Sequence, residues 1–367
     1  MRILHVSSAR YYGGGERHLV DLCRELKKRG HDIFVALRPT NLWESRFDFL
    51  SPEKILHVSI RNSFGVLSAI RVADFIRENK IEIVHAHVAR DYIPASIACL
   101  AAKPAKFVLT RHVMFPLKPF NRFALKNVAK AIAVSDAVAK EIKKVFPPSR
   151  VFVIENGLDL DNLDSADAAD GGREFRELHE IPADVPLVGT LGELKELKGQ
   201  RDFVLAAAEV VKEVSECQFV IIGLDTAAGQ PFRRELKRLV GVLGLADRFL
   251  WLDWLEDTTP FFATIDLFVS PSRSESFGLA ILEAMARGKP VVATETDGAV
   301  TVLGADGLLA PIEDPVRLAK RMINLLKDER ARSRMAIDLK KRAAERFSLH
   351  RMVDETEKLY ADLVGRT

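Results

Sequence analysis

The feature that most constrains the fold is an alternation running nearly the length of the chain. Short β-branched runs at Ile3–Ser7, Ile33–Leu37, Ile83–Ala86, Phe107–Thr110, Ala131–Val134 and Val151–Ile154 are separated by longer stretches with helical spacing. Between the first two runs, Glu16–Arg29 places Leu19, Leu22, Cys23 and Leu26 on one face, and Gly30 follows as a stop. Strand, helix, strand in repetition predicts a parallel sheet covered on both faces. The pattern breaks at 156–172, which carries Asp159, Asp161, Asp164, Asp167 and Asp170, no basic residue, and ends in Gly171-Gly172. That stretch reads as a linker. The alternation restarts at Leu187–Leu191, Gln218–Ile222, Phe249–Leu252, Leu267–Ser270 and Val291–Ala293, and the tail from about 315 to 364 reads as helical. With 367 residues there is room for two domains. The expected fold class is α/β, two doubly wound parallel-sheet domains facing a central cleft at the carboxyl ends of their strands.

Composition narrows the class. Apolar residues make up 48% and charged residues 29%, the profile of a globular protein with real cores. No run reaches the roughly 18 apolar residues of a spanning helix. The start, MRILHVSSAR, reads as a buried first strand rather than a signal peptide, so the expected location is the cytoplasm. Cys23, Cys99 and Cys217 are far apart, match no zinc spacing, and read as buried thiols.

Charge is unevenly spread. Residues 1–155 hold 26 Lys and Arg against 14 Asp and Glu, while 156–367 hold 28 against 37. No nucleic-acid-binding motif accompanies the basic half, so no nucleic-acid partner is expected. An anionic membrane surface or an acidic acceptor fits better. The stretch 103–130 carries Lys103, Lys106, Arg111, Lys118, Arg122, Lys126 and Lys130 with no acid, interleaved with Phe115, Phe120 and Phe123. A helix from about Asn121 puts Arg122 and Lys126 on one face. Peripheral binding to the inner face of the cytoplasmic membrane is one reading, and a solvated basic face beside core phenylalanines is the other.

Chemistry is concentrated at the ends of expected strands. After the strand ending at Ser270 comes a polar loop with Glu275, then a helix starting near Gly278 that carries Glu283. A helix start has bare N–H groups and a positive dipole end that suit a diphosphate, and Gly278 allows close backbone approach. A carboxylate on that helix can accept hydrogen bonds from both hydroxyls of a ribose, and one in the loop can hold sugar hydroxyls. An ordinary amphipathic helix with a solvated glutamate has the same spacing. In the first half, Gly13-Gly14-Gly15-Glu16 opens a helix, a weak signal alone. His85-Ala-His87 and Thr110-Arg-His112 stand at strand ends.

The run Glu275-Ser-Phe-Gly-Leu-Ala-Ile-Leu-Glu283-Ala-Met-Ala-Arg-Gly-Lys-Pro-Val-Val292 resembles the acidic motif of family 4 glycosyltransferases with the GT-B fold, Glu-x7-Glu within E-G-F-G-L-x-x-x-E-A-M-A-x-G-x-P-V-V. The resemblance covers most of the chain. Gly13–Glu16 looks like that family's glycine-rich loop, Arg29-Gly-His-Asp32 like the start of its second strand, and Asn156-Gly-Leu-Asp159 like its pre-linker motif. It implies Rossmann-like domains: 1–165 for the acceptor, 166–347 for the nucleotide sugar, and 348–367 as a helix crossing back to the first. It implies His112 and Glu275 as catalytic residues, and Gly14, Lys198, Phe277, Gly278, Leu279 and Glu283 as donor-binding residues. The implied reaction moves a sugar from a UDP-, GDP- or ADP-sugar to a lipid-linked, lipopolysaccharide or polysaccharide acceptor of the bacterial envelope, with retention of configuration. No metal or other cofactor is implied, and Asp159-Leu-Asp161 reads as acidic linker rather than a metal motif. One motif departs: where the family writes G-R-L-x-x-x-K-G, this chain has Gly192-Glu193-Leu194-Lys195-Glu196-Leu197-Lys198-Gly199. An anion replaces a cation beside two phosphates, which weakens donor binding unless Lys195 or Arg273 compensates. Two alternatives stay open: a nucleotide-sugar epimerase of similar fold, and a catalytically impaired nucleotide-sugar binder. The Glu275–Glu283 run and Lys198 speak against the first; Glu193 is the support for the second.

Overall fold

The structure, a computed structural model, describes residues 1–60, 65–160, 167–304 and 307–366. It divides into two compact units, Met1–Gly157 together with Leu349–Thr367, and Leu158–Ser348.

Among the described residues, the first unit has seven strands: β1 (Arg2–Ser7), β2 (Asp32–Leu37), β3 (Ile55–His57), β4 (Ile83–Ala86), β5 (Lys106–Arg111), β6 (Val128–Ala133) and β7 (Val151–Val153). They pair in parallel in the order β3-β2-β1-β4-β5-β6-β7. The crossovers carry α1 (Gly14–Lys28), α2 (Val66–Glu78), α3 (Tyr92–Ala101), α4 (Asn121–Ala124) and α5 (Asp136–Ile142). The β-branched runs are the buried centre of this sheet, and Leu19, Leu22, Cys23 and Leu26 of α1 face it. The edge strand β3 had no signature in the sequence. It is three residues long, half-exposed, and pairs only with β2 among the described residues.

In the second unit, α6 (Asp167–Leu178) leads into six parallel strands among the described residues: β8 (Leu187–Leu191), β9 (Gln218–Ile222), β10 (Phe249–Leu252), β11 (Leu267–Ser270), β12 (Val291–Thr294) and β13 (Leu308–Ala310), ordered β10-β9-β8-β11-β12-β13. Between and after them run α7 (Gln200–Glu213), α8 (Pro231–Val242), α9 (Thr259–Thr264), α10 (Leu279–Ala286), α11 (Asp297–Leu303), α12 (Pro315–Lys327) and α13 (Glu329–Arg346). Val188, Phe203, Phe219, Ile221 and Val292 pack with Leu318 and Met322 of α12 in its core.

The last helix, α14 (Leu349–Val364), belongs to the first unit. Met352, Val353, Leu359 and Tyr360 join the cluster that contains Leu22 and Leu26. Glu357 accepts from His31 Nε2 at 2.7 Å and pairs with Arg29 Nη1 at 2.8 Å, so the Arg29-Gly-His turn after α1 anchors this helix.

Two local expectations change. The acidic stretch ends as helix, not linker: α6 begins at Asp167 and contains Gly171 and Gly172. A Cβ on Gly172 would sit 3.1 Å from Ala263 Cβ, and one on Gly171 3.6 Å from Pro260 Cγ. The glycines therefore let α6 approach α9 closely. Asp161 and Asp164 lie outside the described residues. The helix expected from Asn121 is the single turn α4, which ends before Lys126, so Arg122 and Lys126 share no continuous helical face.

Candidate functional site

In each sheet the strand order reverses beside its first strand, between β1 and β4 and between β8 and β11. Crossovers leave such a point in opposite directions, opening a crevice at the carboxyl ends where ligands bind. The residues that drew attention in the sequence lie at these two points, and each is described within its own unit.

In the second unit, the turn after β8 carries Lys198 and the loop after β11 carries Glu275. Lys198 Nζ donates to Glu275 Oε2 at 2.6 Å, and both side chains are largely buried. The backbone enforces this meeting. Arg273 N donates to Leu197 O at 2.9 Å, tying one loop to the other. Gly199 has φ +66°, and a Cβ there would lie 1.8 Å from Pro271 O, so only glycine allows the turn to pass so close. The far side of the Glu275 loop is held by Gly298 N, which donates to Glu275 O at 2.9 Å; a Cβ on Gly298 would lie 2.7 Å from that oxygen. Gly298 is a supporting residue that the sequence reading passed over, since a glycine in the first turn of α11 carries no distinctive spacing.

Gly278 precedes α10 with φ +98°, which turns the chain from the loop into the helix. Leu279 opens the helix, and Phe277 is buried against Phe347, rings edge-on at 5.6 Å. Glu283 is buried one turn further in, accepts from Thr258 Oγ1, and has Arg287 Nε 3.9 Å away. Glu275 and Lys198 are thus together, while Glu283 has its own partners.

The departing residue Glu193 is paired with Lys195 and accepts from Thr226 Oγ1 at 3.3 Å. Arg273, the other expected compensator, is shared among Asp202, Glu196 and Glu313 at 3.0–3.5 Å. Lys195 is therefore the cation that offsets Glu193.

The first unit's switch point is chemically different. Gly14 starts α1 directly after the loop that follows β1. His112 follows β5, and a Cβ on Gly15 would lie 3.7 Å from its ring, so the glycine loop and His112 are in contact. Behind His112 stand four more imidazoles. His87 Nδ1 lies 3.4 Å from His112 Nε2, His5 Nδ1 lies 3.1 Å from His87 Nε2, and His18 meets His112 edge-on at 4.8 Å. His85 is bonded to Thr110 Oγ1 at 2.7 Å and to the Tyr360 hydroxyl of α14. Burial pushes His5 down to about 3 and His18 to about 4, and it lowers His85, His87 and His112 well below the usual histidine range, with neighbouring rings adding to the effect. All five rings are neutral at pH 7. The sequence showed His85, His87 and His112 at strand ends; His5 inside β1 and His18 on α1 gave no sign of joining them.

The basic stretch 103–130 is partly rearranged by the fold. Arg111 is buried and donates to Phe115 O, and Lys130 stacks on Phe152 at 4.1 Å, so neither belongs to an open basic surface. Lys118, Arg122 and Lys126 are exposed, as are Phe115 at 62% and Phe123 at 78%. No helix among the described residues is long and apolar enough to cross a membrane.

Comparison with known proteins bears on the family and the fold. Residues 12–162 match a family described as Glycosyltransferase Family 4, and residues 185–328 match Glycosyl transferases group 1. The chain is 26% identical, over 94% of its length and 92% of the relative's, to N-acetyl-alpha-D-glucosaminyl L-malate synthase of Bacillus anthracis. It is also 26% identical, over 88% of each chain, to the lipopolysaccharide core biosynthesis glycosyltransferase LpsE of Rhizobium meliloti. Among solved structures, a glycosyltransferase of Rickettsia africae superposes with a TM-score of 0.86 at 22% identity, covering 100% of this chain and 99% of that one. HepE of Anabaena, solved with UDP and glucose, superposes with a TM-score of 0.87 at 22% identity over 98% and 99%. Matched in both halves by models of one enzyme class, and sharing its fold from end to end with a solved glycosyltransferase, the chain belongs to the family 4 glycosyltransferases of the GT-B fold.

Proposed function

We propose that this glycosyltransferase moves a hexose from a nucleoside-diphosphate sugar to a lipid-linked or envelope-polysaccharide acceptor, with retention of anomeric configuration. The observation that carries the reading is the Lys198–Glu275 pair at the β8/β11 switch point, beside the start of α10. In this reading the donor diphosphate takes over the Lys198 ammonium and lies against the N–H groups that follow Gly278. Phe277 and Leu279 shape that approach, and Glu283 accepts from the ribose hydroxyls. Negative charge grows on the leaving phosphate as the anomeric bond breaks, and a fixed ammonium and oriented N–H groups stabilise it without reorganising. Glu275, freed from Lys198, holds hydroxyls of the transferred sugar. The first unit supplies Gly14, whose loop admits the acceptor, and His112, a neutral ring that meets the reacting sugar. The acceptor hydroxyl attacks the face the phosphate leaves: the carbon–oxygen bond to the diphosphate breaks as the new glycosidic bond forms, and the leaving phosphate oxygen takes the acceptor proton. No metal takes part in this scheme.

The resemblance to LpsE and the basic first half favour an anionic envelope acceptor. Exposed Phe115 and Phe123 beside Lys118, Arg122 and Lys126 suit peripheral contact with anionic lipid, the phenylalanines entering the headgroup boundary. Equal binding to neutral and anionic liposomes would remove that contact from the scheme.

The test is a thermal-shift screen against UDP-, GDP- and ADP-sugars, followed by a transfer assay with the stabilising donor and NMR assignment of the product anomer. HepE was solved with UDP-glucose, which makes that donor the first to try. Stabilisation without transfer or hydrolysis of any donor identifies an impaired binder. Sugar interconversion without an acceptor identifies an epimerase, and an inverted product rejects retention.

A further inference from the structure

Five histidines meet in the first unit, but they do not form one uniform cluster. Two triads have ring nitrogens within 4.8 Å of one another: His5, His85 and His87, and His18, His87 and His112. The first is unsuited to an ion. His5 and His85 are wholly buried, and both nitrogens of His85 are already engaged by Thr110 and Tyr360. A bound ion there would need one of those nitrogens and so break a buried hydrogen bond.

The second triad differs on each count. His18 and His87 are each 5% exposed, while His112 is half-buried and gives the group an open side. His18 Nδ1 is buried, and the ring's polar neighbour outside the cluster is the neutral side chain of Asn156. His87 Nδ1 and His112 Nε2 stand 3.4 Å apart. That is at the outer limit of a hydrogen bond, yet close to the ~3.3 Å separating two nitrogens that share a tetrahedral ion at about 2.0–2.1 Å each. The remaining nitrogen of His87 faces His5 Nδ1 at 3.1 Å, an outer contact of the kind that fixes the orientation of a ligating ring. The three rings come from separate elements: α1, the loop after β4 and the loop after β5.

We propose that His18, His87 and His112 form a binding site for one divalent ion of the zinc class, with a fourth position open toward solvent. Three imidazoles and no carboxylate select Zn²⁺, Cu²⁺ or Ni²⁺ over Mg²⁺ or Ca²⁺, which require oxygen. The site is separate from the donor machinery in the second unit but shares His112 with the proposed reaction, so its test reads metal binding directly and not transfer.

The experiment adds Co²⁺ to metal-stripped full-length protein and follows the visible d–d absorption. A four- or five-coordinate ion on nitrogen ligands absorbs far more strongly than aqueous Co²⁺. The expected result is saturation at one equivalent, loss of the bands on adding one equivalent of Zn²⁺, and no response to Mg²⁺. The bands should persist in His57→Asn, which alters an exposed histidine paired with Glu44 at 2.7 Å. They should weaken in His18→Asn and in His87→Gln, with Zn²⁺ affinity falling by at least the ~10–100-fold that loss of an outer partner alone costs. Absence of intense bands in the unaltered protein overturns the proposal without reference to any variant. So do bands that survive in both His18→Asn and His87→Gln, because the ion then sits elsewhere.

Discussion

The two units are built alike and equipped oppositely. Each is a parallel sheet with a reversal of strand order, and each brings loops from two neighbouring strands to that reversal. At the second unit's reversal stand an ion pair and the start of a helix. At the first unit's reversal stand a glycine loop and a stack of neutral imidazoles. The charged side chains at the reversal are concentrated in one unit, while the other offers a largely buried group of uncharged rings. The scaffold supplies only the crevice, and the loop residues decide its chemistry.

The largest way to test this contrast is to remove the cation from the second unit. Lys198→Met should lower the transfer rate by roughly 10²–10³, the usual cost of losing one fixed stabiliser of developing negative charge. Amide exchange of the first unit should not change. A loss under tenfold would mean that the second unit's charge is not where catalysis resides.

Acidification should act in the opposite place. His18 has its pKa lowered from 6.5 to about 4, mainly by burial. As pH falls below about 6.5 the unfolded chain takes up protons that the folded rings refuse, so stability present above pH 6.5 is lost on the way to pH 4. His18 alone accounts for up to about 3 kcal/mol of this, and His5, lowered to about 3, adds in the same direction. Asp91, raised to about 6 by burial, works the other way, but it is one group against five rings. Hydrogen exchange followed from pH 7 to 4 should show amides of the first unit losing protection before those of the second. Simultaneous loss would break the comparison.

A smaller effect is expected from Tyr360→Phe. It leaves His85 Nδ1 buried without its hydroxyl partner, at a cost of about 1–3 kcal/mol to the first unit, readable as a lower denaturant midpoint. Smallest is Glu193→Arg. Removing an exposed anion and adding a cation near the expected diphosphate should tighten donor binding about fivefold, or ~1 kcal/mol, by titration calorimetry. Weaker binding would show that the Glu193–Lys195 pair shapes the loop rather than opposing the donor.

Long buried elements were legible in the sequence because their signals are local. Each of the eleven strand runs read from β-branched spacing coincides with a strand of the sheets, two of them overrunning it by one residue at Val134 and Ile154, and Glu16–Arg29 corresponds to α1. The edge strands β3 and β13 were not legible: each is three residues long and, unlike the equally short β7 with its Val-Phe-Val-Ile run, has no pair of β-branched residues to mark it. Gly171-Gly172 misled because a glycine pair signals a turn by composition, whereas these two serve a close contact between α6 and α9. Lys198 and Glu275 stood out singly, through their motifs. Their 2.6 Å contact depends on Gly199 passing beside Pro271, 72 positions along the chain, and no local pattern records it.

By itself the amino-acid order determined the class of fold and the identity of the enzyme family, because burial periodicity and a long contiguous motif are written within a few tens of residues. Only the tertiary structure decided which separated groups share a neighbourhood: that Lys195 rather than Arg273 offsets Glu193, that Arg111 is spent on its own loop, and that His5 and His18 join His85, His87 and His112. The reason is physical. Hydrophobic spacing specifies which face of an element is buried, but the loops that end neighbouring strands meet according to strand order in the sheet, and that order is settled only when all the strands pack together.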